Sequence, residues 1–142
     1  MGKCNFRVSV ILIVEKEQQI CLLRRFNTGW NDGKYAVMGG HVEDGENPVD
    51  AVIREAKEEL GIIVKQEDLT QVFTLGCSPD HIYIYFKCSK YEGVVKNNEP
   101  TQCDDVQFFS INNLPNNLIE QDKLALECIY NKKDRTYASF GY

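Results

Sequence analysis

One stretch of the chain, residues 40–62 (GHVEDGENPVDAVIREAKEELGI), constrains the fold more than any other. Asn47 is a favourable N-cap, and Pro48 suits the first helical position, where its missing N–H is not needed. Gly61 suits the left-handed conformation that commonly ends a helix. The pattern therefore predicts a glycine-rich turn, a helix and a glycine stop. One narrow face of this helix is apolar and is expected to pack on the core: Val49, Val52, Ile53, Ala56 and Leu60.

A second stripe of the same helix carries three glutamates, Glu55, Glu58 and Glu59. Glu55 and Glu59 are like charges at i and i+4, which destabilises a helix by roughly 0.2–0.5 kcal/mol. Glu58 and Glu59 also lie in the last turn, where the helix dipole disfavours anions. Arg54 can pair with Glu58, but no cation stands four residues after Glu55. The stripe is either an ordinary solvated face or a functional site. Clustered carboxylates are hard oxygen ligands, which suit Mg²⁺ or Mn²⁺.

The whole stretch resembles the Nudix box, which reads Gly, five residues, Glu, seven residues, then Arg-Glu-apolar-x-Glu-Glu-x-Gly-apolar. The positions that match are Gly40, Glu46, Arg54, Glu55, Ala56, Glu58, Glu59, Gly61 and Ile62. Nudix hydrolases cleave nucleoside diphosphates linked to another moiety. The resemblance therefore implies an α/β fold, namely an α/β/α sandwich with a mixed central sheet, and divalent cations as cofactors. One departure is Met38, because many relatives carry Pro just before the paired glycines.

The resemblance also implies a role for each matching residue. Three box glutamates are expected to hold Mg²⁺, with Mn²⁺ as a substitute, and Glu55 or Glu59 is expected to take a proton from the attacking water. Arg54 is expected to orient the glutamates and Glu46 to steady the loop, while a glycine carbonyl completes the coordination. The residues implied as catalytic or metal-binding are Gly39, Gly40, Glu46, Arg54, Glu55, Glu58 and Glu59.

Length and composition narrow the class of protein. A chain of 142 residues is expected to form one domain, residues 1–142, with its own core. A net charge of −5 argues against a broad nucleic-acid binder. Six scattered cysteines without a Cys-x-x-Cys pair predict free thiols and a reducing, cytoplasmic setting. No run approaches the roughly 20 apolar residues of a membrane span, so no membrane partner is expected.

Residues 6–14 and 20–26 predict a hairpin, and residues 35–38 a short strand that leads into the paired glycines. The hairpin ends in Arg24 and Arg25. Two arginines at a strand end are either solvated surface or a phosphate contact, because the guanidinium fork matches phosphate oxygens. We expect one of them to bind a substrate phosphate.

Strands are predicted at residues 69–75, 82–88 and 106–111, followed by a helix at 117–131. The aromatic tail after this helix is expected either to fold back or to meet a second subunit, which leaves a homodimer open.

Three aromatic residues on these strands, Tyr83, Tyr85 and Phe108, are candidates to stack a nucleotide base. Ordinary packing within the sheet is the alternative. Stacking would tolerate any base, because each base has a π-face.

Glu99 precedes Pro100 in a predicted loop, and this pair resembles Nudix members in which a loop acid adds to the metal site. Asp104 and Asp105 are rivals for that role, and a plain turn acid is the alternative. The loop favours a nucleoside triphosphate pyrophosphohydrolase that releases a monophosphate and pyrophosphate. A hydrolase of ADP-ribose or another nucleotide-linked diphosphate is the runner-up. A non-catalytic nucleotide-binding domain is disfavoured, because every box carboxylate is present.

Overall fold

The structure is a computed structural model that describes residues 2–142. Its elements in chain order are β1 (Arg7–Lys16), β2 (Gln19–Arg25), β3 (Tyr35–Ala36), β4 (Met38–His41), α1 (Pro48–Leu60), β5 (Thr70–Cys77), β6 (His81–Cys88), β7 (Cys103–Ser110), α2 (Glu120–Asn131) and β8 (Tyr137–Phe140). The predicted α/β class with a mixed central sheet is confirmed.

Strand β1 lies at the centre of the sheet. It pairs in parallel with β6 and antiparallel with β4, while β5 pairs antiparallel with β6. The strand is a continuous apolar run because both of its faces are covered. Val10 and Leu12 belong to the core cluster that contains the inner face of α1. Ile11 and Ile13 belong to the cluster that contains the inner face of α2. The two helices therefore cover opposite faces of the sheet.

Helix α1 begins and ends where the sequence predicts. The Asn47 side chain accepts a hydrogen bond from the Asp50 N–H at 2.9 Å, and Gly61 has a φ of 68°. The buried face differs slightly from the prediction, since Ala51 is fully buried and Ile53 only partly. The remaining buried residues of the helix are Val52, Ala56 and Leu60.

The short strand predicted at residues 35–38 is in fact two strands. The N–H of Val37 donates to the Asp122 carboxylate at 2.9 Å, so the chain leaves the sheet at this residue. After the break, Gly39 and Gly40 pair with Ile11 and Val10 of β1. The paired glycines thus lie inside β4, not in a loop.

The aromatic tail folds back onto its own chain. β8 pairs in parallel with β5 at the edge of the sheet, and Ala138 is only 4% exposed. The first of the two alternatives for the tail is therefore the one observed. All six cysteines are free, and five of them are buried. Within residues 2–142, no helix is long and apolar enough to cross a membrane.

Candidate active site

Arg54 joins the loop before α1 to the glutamate stripe. Its Nε and Nη2 groups donate to the two oxygens of Glu46 at 2.8 and 3.0 Å. Nη1 donates to Glu55 at 2.8 Å and to Glu58 at 3.2 Å, and Nη2 also reaches the carbonyl of His41 at 3.0 Å. The guanidinium lowers the pKa of Glu46, because charge-assisted hydrogen bonds favour the carboxylate. Arg54 therefore links Glu46 in the loop to Glu55 and Glu58 on the helix.

Among the described residues, Glu59 is the one box glutamate with a buried carboxylate oxygen that lacks a hydrogen-bond partner. Its Oε2 atom is buried and has no hydrogen-bond partner in the described part of the chain. Burial raises the pKa of Glu59 well above its ordinary value, and the charges of Glu55 and Glu99 raise it further. Leaving a buried acceptor unpaired costs about 1–3 kcal/mol, more when it is charged. A cation bound at this oxygen would remove that penalty.

The paired glycines allow the backbone of β4 to approach the carboxylates. A Cβ on Gly40 would lie 2.2 Å from the carboxylate of Glu55, and a Cβ on Gly39 would lie 2.7 Å from the carbonyl oxygen of Val10. Only glycine fits at either position without displacing a neighbour. The strand and the glutamate stripe are therefore in direct contact.

Glu99 lies beside the stripe, as predicted. Asn98 donates its backbone N–H to the Glu59 carbonyl at 3.0 Å and its side-chain amide to the Glu58 carbonyl at 3.1 Å. These bonds fix the loop against the end of α1 and bring Glu99 to the carboxylates. Burial raises the pKa of Glu99, and the charge of Glu58 adds to the effect.

The two rivals of Glu99 are held elsewhere. Asp104 accepts from Nε of Arg24 at 2.7 Å. Asp105 accepts from the Tyr35 hydroxyl and from the Gln107 amide. Arg24 is thus committed to an ion pair, and neither aspartate joins the stripe.

The donor set fits a hard divalent cation. Among residues 2–142, no three His, Cys, Asp or Glu side chains converge closely enough to form a finished coordination shell. Such spacing is expected of like charges that have no cation between them. The available atoms are carboxylate oxygens and a strand carbonyl, which Mg²⁺ and Mn²⁺ prefer. The residues that would hold the ion are Glu55, Glu58, Glu59 and Glu99, with a carbonyl of Gly39 or Gly40.

A cavity of about 860 Å³ opens over the carboxylates, which is the size of a small-molecule site. Arg25 lies in its wall. Its Nε donates to the Trp30 carbonyl at 2.7 Å and its Nη2 to the Thr28 hydroxyl at 2.9 Å. Of the two arginines predicted to meet phosphate, Arg25 is thus the better placed.

Of the three aromatic residues predicted to stack a base, only one lines the cavity. Tyr83 is half-buried and lines the cavity. Tyr85 is fully buried between the sheet and α2, and its hydroxyl donates to Asp122 at 2.6 Å. Phe108 packs against the core cluster under α1 and does not line the cavity. The prediction is wrong for Tyr85 and Phe108, because both rings are used for packing.

Sequence reasoning missed Asp122, which lies in the cavity wall in the first turn of α2. The carboxylate is fully buried and accepts from Tyr85 and from the Val37 N–H. Burial raises its pKa to about 6. In the sequence it looks like an ordinary acid at a helix start, where the dipole favours anions.

A second missed group joins three neighbouring strands. The hydroxyl of Ser9 lies 3.1 Å from Nδ1 of His41 and 2.8 Å from Nε2 of His81. The His81 ring stacks on Tyr83 with their centroids 4.2 Å apart. Predicting this contact would have required the pairing of β1 with β4 and β6, which the sequence alone did not supply.

A larger open groove, of about 1140 Å³, lies at the far end of β1. Its wall includes Glu15, Lys16, Lys87 and Tyr130. Glu15 forms an ion pair there with Lys87 at 3.0 Å and accepts a hydrogen bond from the Tyr130 hydroxyl at 2.7 Å. Of the described residues that line the groove, only Glu15 and Glu17 are carboxylates, so the smaller cavity is the better candidate for catalysis.

Comparison with known proteins agrees with this geometry. A family model described as "NUDIX domain" matches residues 5–128. The ADP-ribose pyrophosphatase of Methanocaldococcus jannaschii is 36% identical over 123 residues, which are 82% of this chain and 69% of that protein. The NAD-capped RNA hydrolase NudC of Pseudomonas putida is 31% identical over 110 residues, which are 75% of this chain but only 37% of NudC. The crystal structure of a MutT NUDIX hydrolase from Burkholderia pseudomallei superposes with a TM-score of 0.77 at 25% identity, over 85% of this chain and 95% of that one.

Proposed function

The chain belongs to the NUDIX domain family, and from this premise we propose that it hydrolyses the diphosphate linkage of nucleotides with the help of Mg²⁺ or Mn²⁺. The observation that carries the proposal is the buried, unpartnered oxygen of Glu59 among the carboxylates of Glu55, Glu58 and Glu99. We also propose that residues 1–142 act as one catalytic domain in a reducing, cytoplasmic setting, which the buried free thiols support.

The reaction is the attack of water on a phosphorus atom surrounded by negative oxygens. A divalent cation held by Glu55, Glu58, Glu59 and Glu99 would neutralise part of that charge and acidify water. Glu55 or Glu59 is the proposed proton acceptor, because Arg54 contacts only one oxygen of Glu55, while the buried, unpaired oxygen of Glu59 is the proposed metal ligand. The bond between phosphorus and the bridging oxygen then breaks, and the second phosphate group leaves with that oxygen. Arg54 holds Glu55 and Glu58 in place during this step.

The favoured substrate is a nucleoside triphosphate, cleaved to a monophosphate and pyrophosphate. Support comes from the position of Glu99 beside the box carboxylates, because the resemblance associates an acid in this loop with triphosphate hydrolysis. Arg25 is the proposed phosphate contact. ADP-ribose is the second candidate, and the name of the 36% identical relative favours it.

A product panel tests the substrate class. The protein and Mg²⁺ are incubated with several nucleoside triphosphates, with ADP-ribose and with dinucleoside polyphosphates, and the products are identified by chromatography. Pyrophosphate from at least one triphosphate supports the first candidate. AMP and ribose 5-phosphate from ADP-ribose alone would replace it with the second.

The metal site is tested with Glu59→Gln. We expect kcat to fall about a hundredfold or more, which is the range for loss of a general base, while the circular dichroism spectrum stays unchanged. Glu67→Gln is the matched control, since Glu67 is exposed and does not line the cavity. Full activity of the wild type in excess chelator, or of Glu59→Gln in Mg²⁺, would contradict the assignment.

A further inference from the structure

The loop between β2 and β3 is ordered by one carboxylate. Asp32 accepts hydrogen bonds from the backbone N–H of Thr28 at 3.1 Å and of Gly29 at 2.9 Å, and from the Thr28 hydroxyl. Arg25 adds bonds to the Thr28 hydroxyl and to the Trp30 carbonyl. The loop is therefore held in one shape from both sides, although it contains no regular secondary structure.

The ordered loop between β2 and β3 exposes the indole ring of Trp30 to solvent. The Trp30 side chain is 46% exposed and lines the same cavity as the carboxylates. One face of the indole is covered by the guanidinium of Arg25, whose central carbon lies 4.8 Å from the ring centroid. Trp30 combines this exposure with a place in the cavity wall, where a ligand bound beside the carboxylates can cover the ring. Phe26 is equally exposed, at 47%, but does not line the cavity.

We propose that Trp30 binds the nucleobase of the substrate by stacking it on the indole face that Arg25 leaves open. The inference rests on the proposed function, in which Arg25 meets phosphate. Arg25 and Trp30 are in contact, so a phosphate-binding group and a flat apolar group stand side by side, as the two ends of a nucleotide require. A stacking surface accepts any base, so this contact favours nucleotides over sugar phosphates without selecting one base.

Binding is measured by fluorescence, because Trp30 is the only tryptophan in the chain. The wild-type protein in EDTA is titrated with AMP, and separately with ribose 5-phosphate and with pyrophosphate, neither of which contains a base. We expect AMP to change the emission to saturation and the ligands without a base to produce a smaller change, because they meet Arg25 but not the open face of the indole. An equal change with ribose 5-phosphate or pyrophosphate would overturn the inference, as would AMP binding in equilibrium dialysis with unchanged emission.

Kinetics provide a second measurement on any nucleotide that is turned over. Trp30→Ala should raise KM about tenfold with little change in kcat, which is within the range for loss of one stacked base. Trp30→Phe should recover most of the loss, and Phe26→Ala is the matched control. If Trp30 acted only by steadying Arg25, Trp30→Ala would weaken inhibition by pyrophosphate as much as inhibition by AMP, and the inference would be wrong.

The two proposals can fail separately. If no nucleotide is hydrolysed, the proposed function fails, yet emission that changes more with AMP than with ribose 5-phosphate would still support the base site. If hydrolysis is normal in Trp30→Ala, the function stands and the base site is wrong.

Discussion

Two arginines of the site, Arg54 and Arg25, differ in how many of their nitrogen groups donate to acceptors within the protein. Arg54 directs all three of its nitrogen groups at protein acceptors. Arg25 uses two, and in the described residues its Nη1 has no protein acceptor. An arginine with a spare donor in a cavity wall is available to a ligand, whereas a fully used one is part of the scaffold. Removing Arg25 and removing Arg54 should therefore affect different kinetic constants.

Arg25→Ala should raise KM about tenfold with a smaller effect on kcat, because the lost contact is made in both the ground state and the transition state. Arg54→Ala should instead lower kcat about 10–100-fold, because it releases Glu46, Glu55 and Glu58 from their orientation. Steady-state kinetics at saturating Mg²⁺ measure both effects.

Arg24→Ala is the matched control for this pair, since Arg24 is committed to Asp104. A rise in KM for Arg24→Ala as large as that for Arg25→Ala would reverse the roles assigned to the two neighbours.

For single residues, the sequence predicts those positions of the site that depend only on the local periodicity of a helix or strand. The spacing of Glu55, Glu58 and Glu59 places them on one helical stripe whatever surrounds the helix. Tyr85 and Asp122 could not be assigned in the same way, because their contact joins β6 to α2 across 37 positions. Which face of a strand meets a helix is a tertiary fact that no local pattern contains.

Between elements, the contact of β4 with α1 sets the geometry of the site. Gly40→Ala should reduce kcat strongly and change the melting temperature little. The added Cβ would meet the carboxylate of Glu55 at 2.2 Å, and a flexible side chain can move away without disturbing the core. Activity and thermal unfolding measured on the same sample test this. A fall in stability with normal activity would show that the backbone moves instead of Glu55.

The edge strand β8 contributes to stability but not to the site. Ala138→Asp should lower the free energy of unfolding by about 2–4 kcal/mol, because it buries a carboxylate in the cluster under α2. Ser139→Asp is the matched control on the opposite, exposed face of the same strand. Urea titration measures the difference. Equal stabilities of the two variants would mean that β8 does not pack as the structure has it.

The sequence predicted most elements but not the break at Val37. Apolar alternation and turn residues indicate where strands occur, and these signals were strong for β1, β5 and β6. The break depends on a hydrogen bond from Val37 to Asp122, 85 positions later. The tail was ambiguous for a related reason, since its aromatic residues indicate burial but not what buries them.

Over the whole molecule, acids with raised pKa values and acids with lowered pKa values have opposite effects on how stability depends on pH. Asp122 and Glu59 have raised pKa values, so the folded state favours their protonated forms. Glu46 and Asp105 have lowered pKa values, because each accepts side-chain hydrogen bonds, from Arg54 and from Tyr35 respectively. The first pair stabilises the fold at low pH, and the second pair stabilises it at neutral pH. The free energy of unfolding measured as a function of pH is the sum of these contributions. Substituting one acid is needed to isolate its share.

Asp122→Asn isolates one of the contributions that favour low pH. The pKa of Asp122 rises from 3.8 to about 6 on folding, so its stabilising effect is complete below about pH 3.8 and is lost as the pH rises to about 6. At about 1.4 kcal/mol for each pKa unit, the loss is about 3 kcal/mol. Relative to the wild type, Asp122→Asn should therefore gain about this much stability between pH 4 and pH 7, on top of a constant penalty for the lost bond from Val37. Urea unfolding in EDTA at half-unit pH steps measures the difference. In Tyr85→Phe the titration should extend to higher pH, because that variant removes a hydrogen bond that favours the carboxylate of Asp122. A difference between wild type and Asp122→Asn that stays constant from pH 4 to pH 7 would show that Asp122 does not titrate in this range.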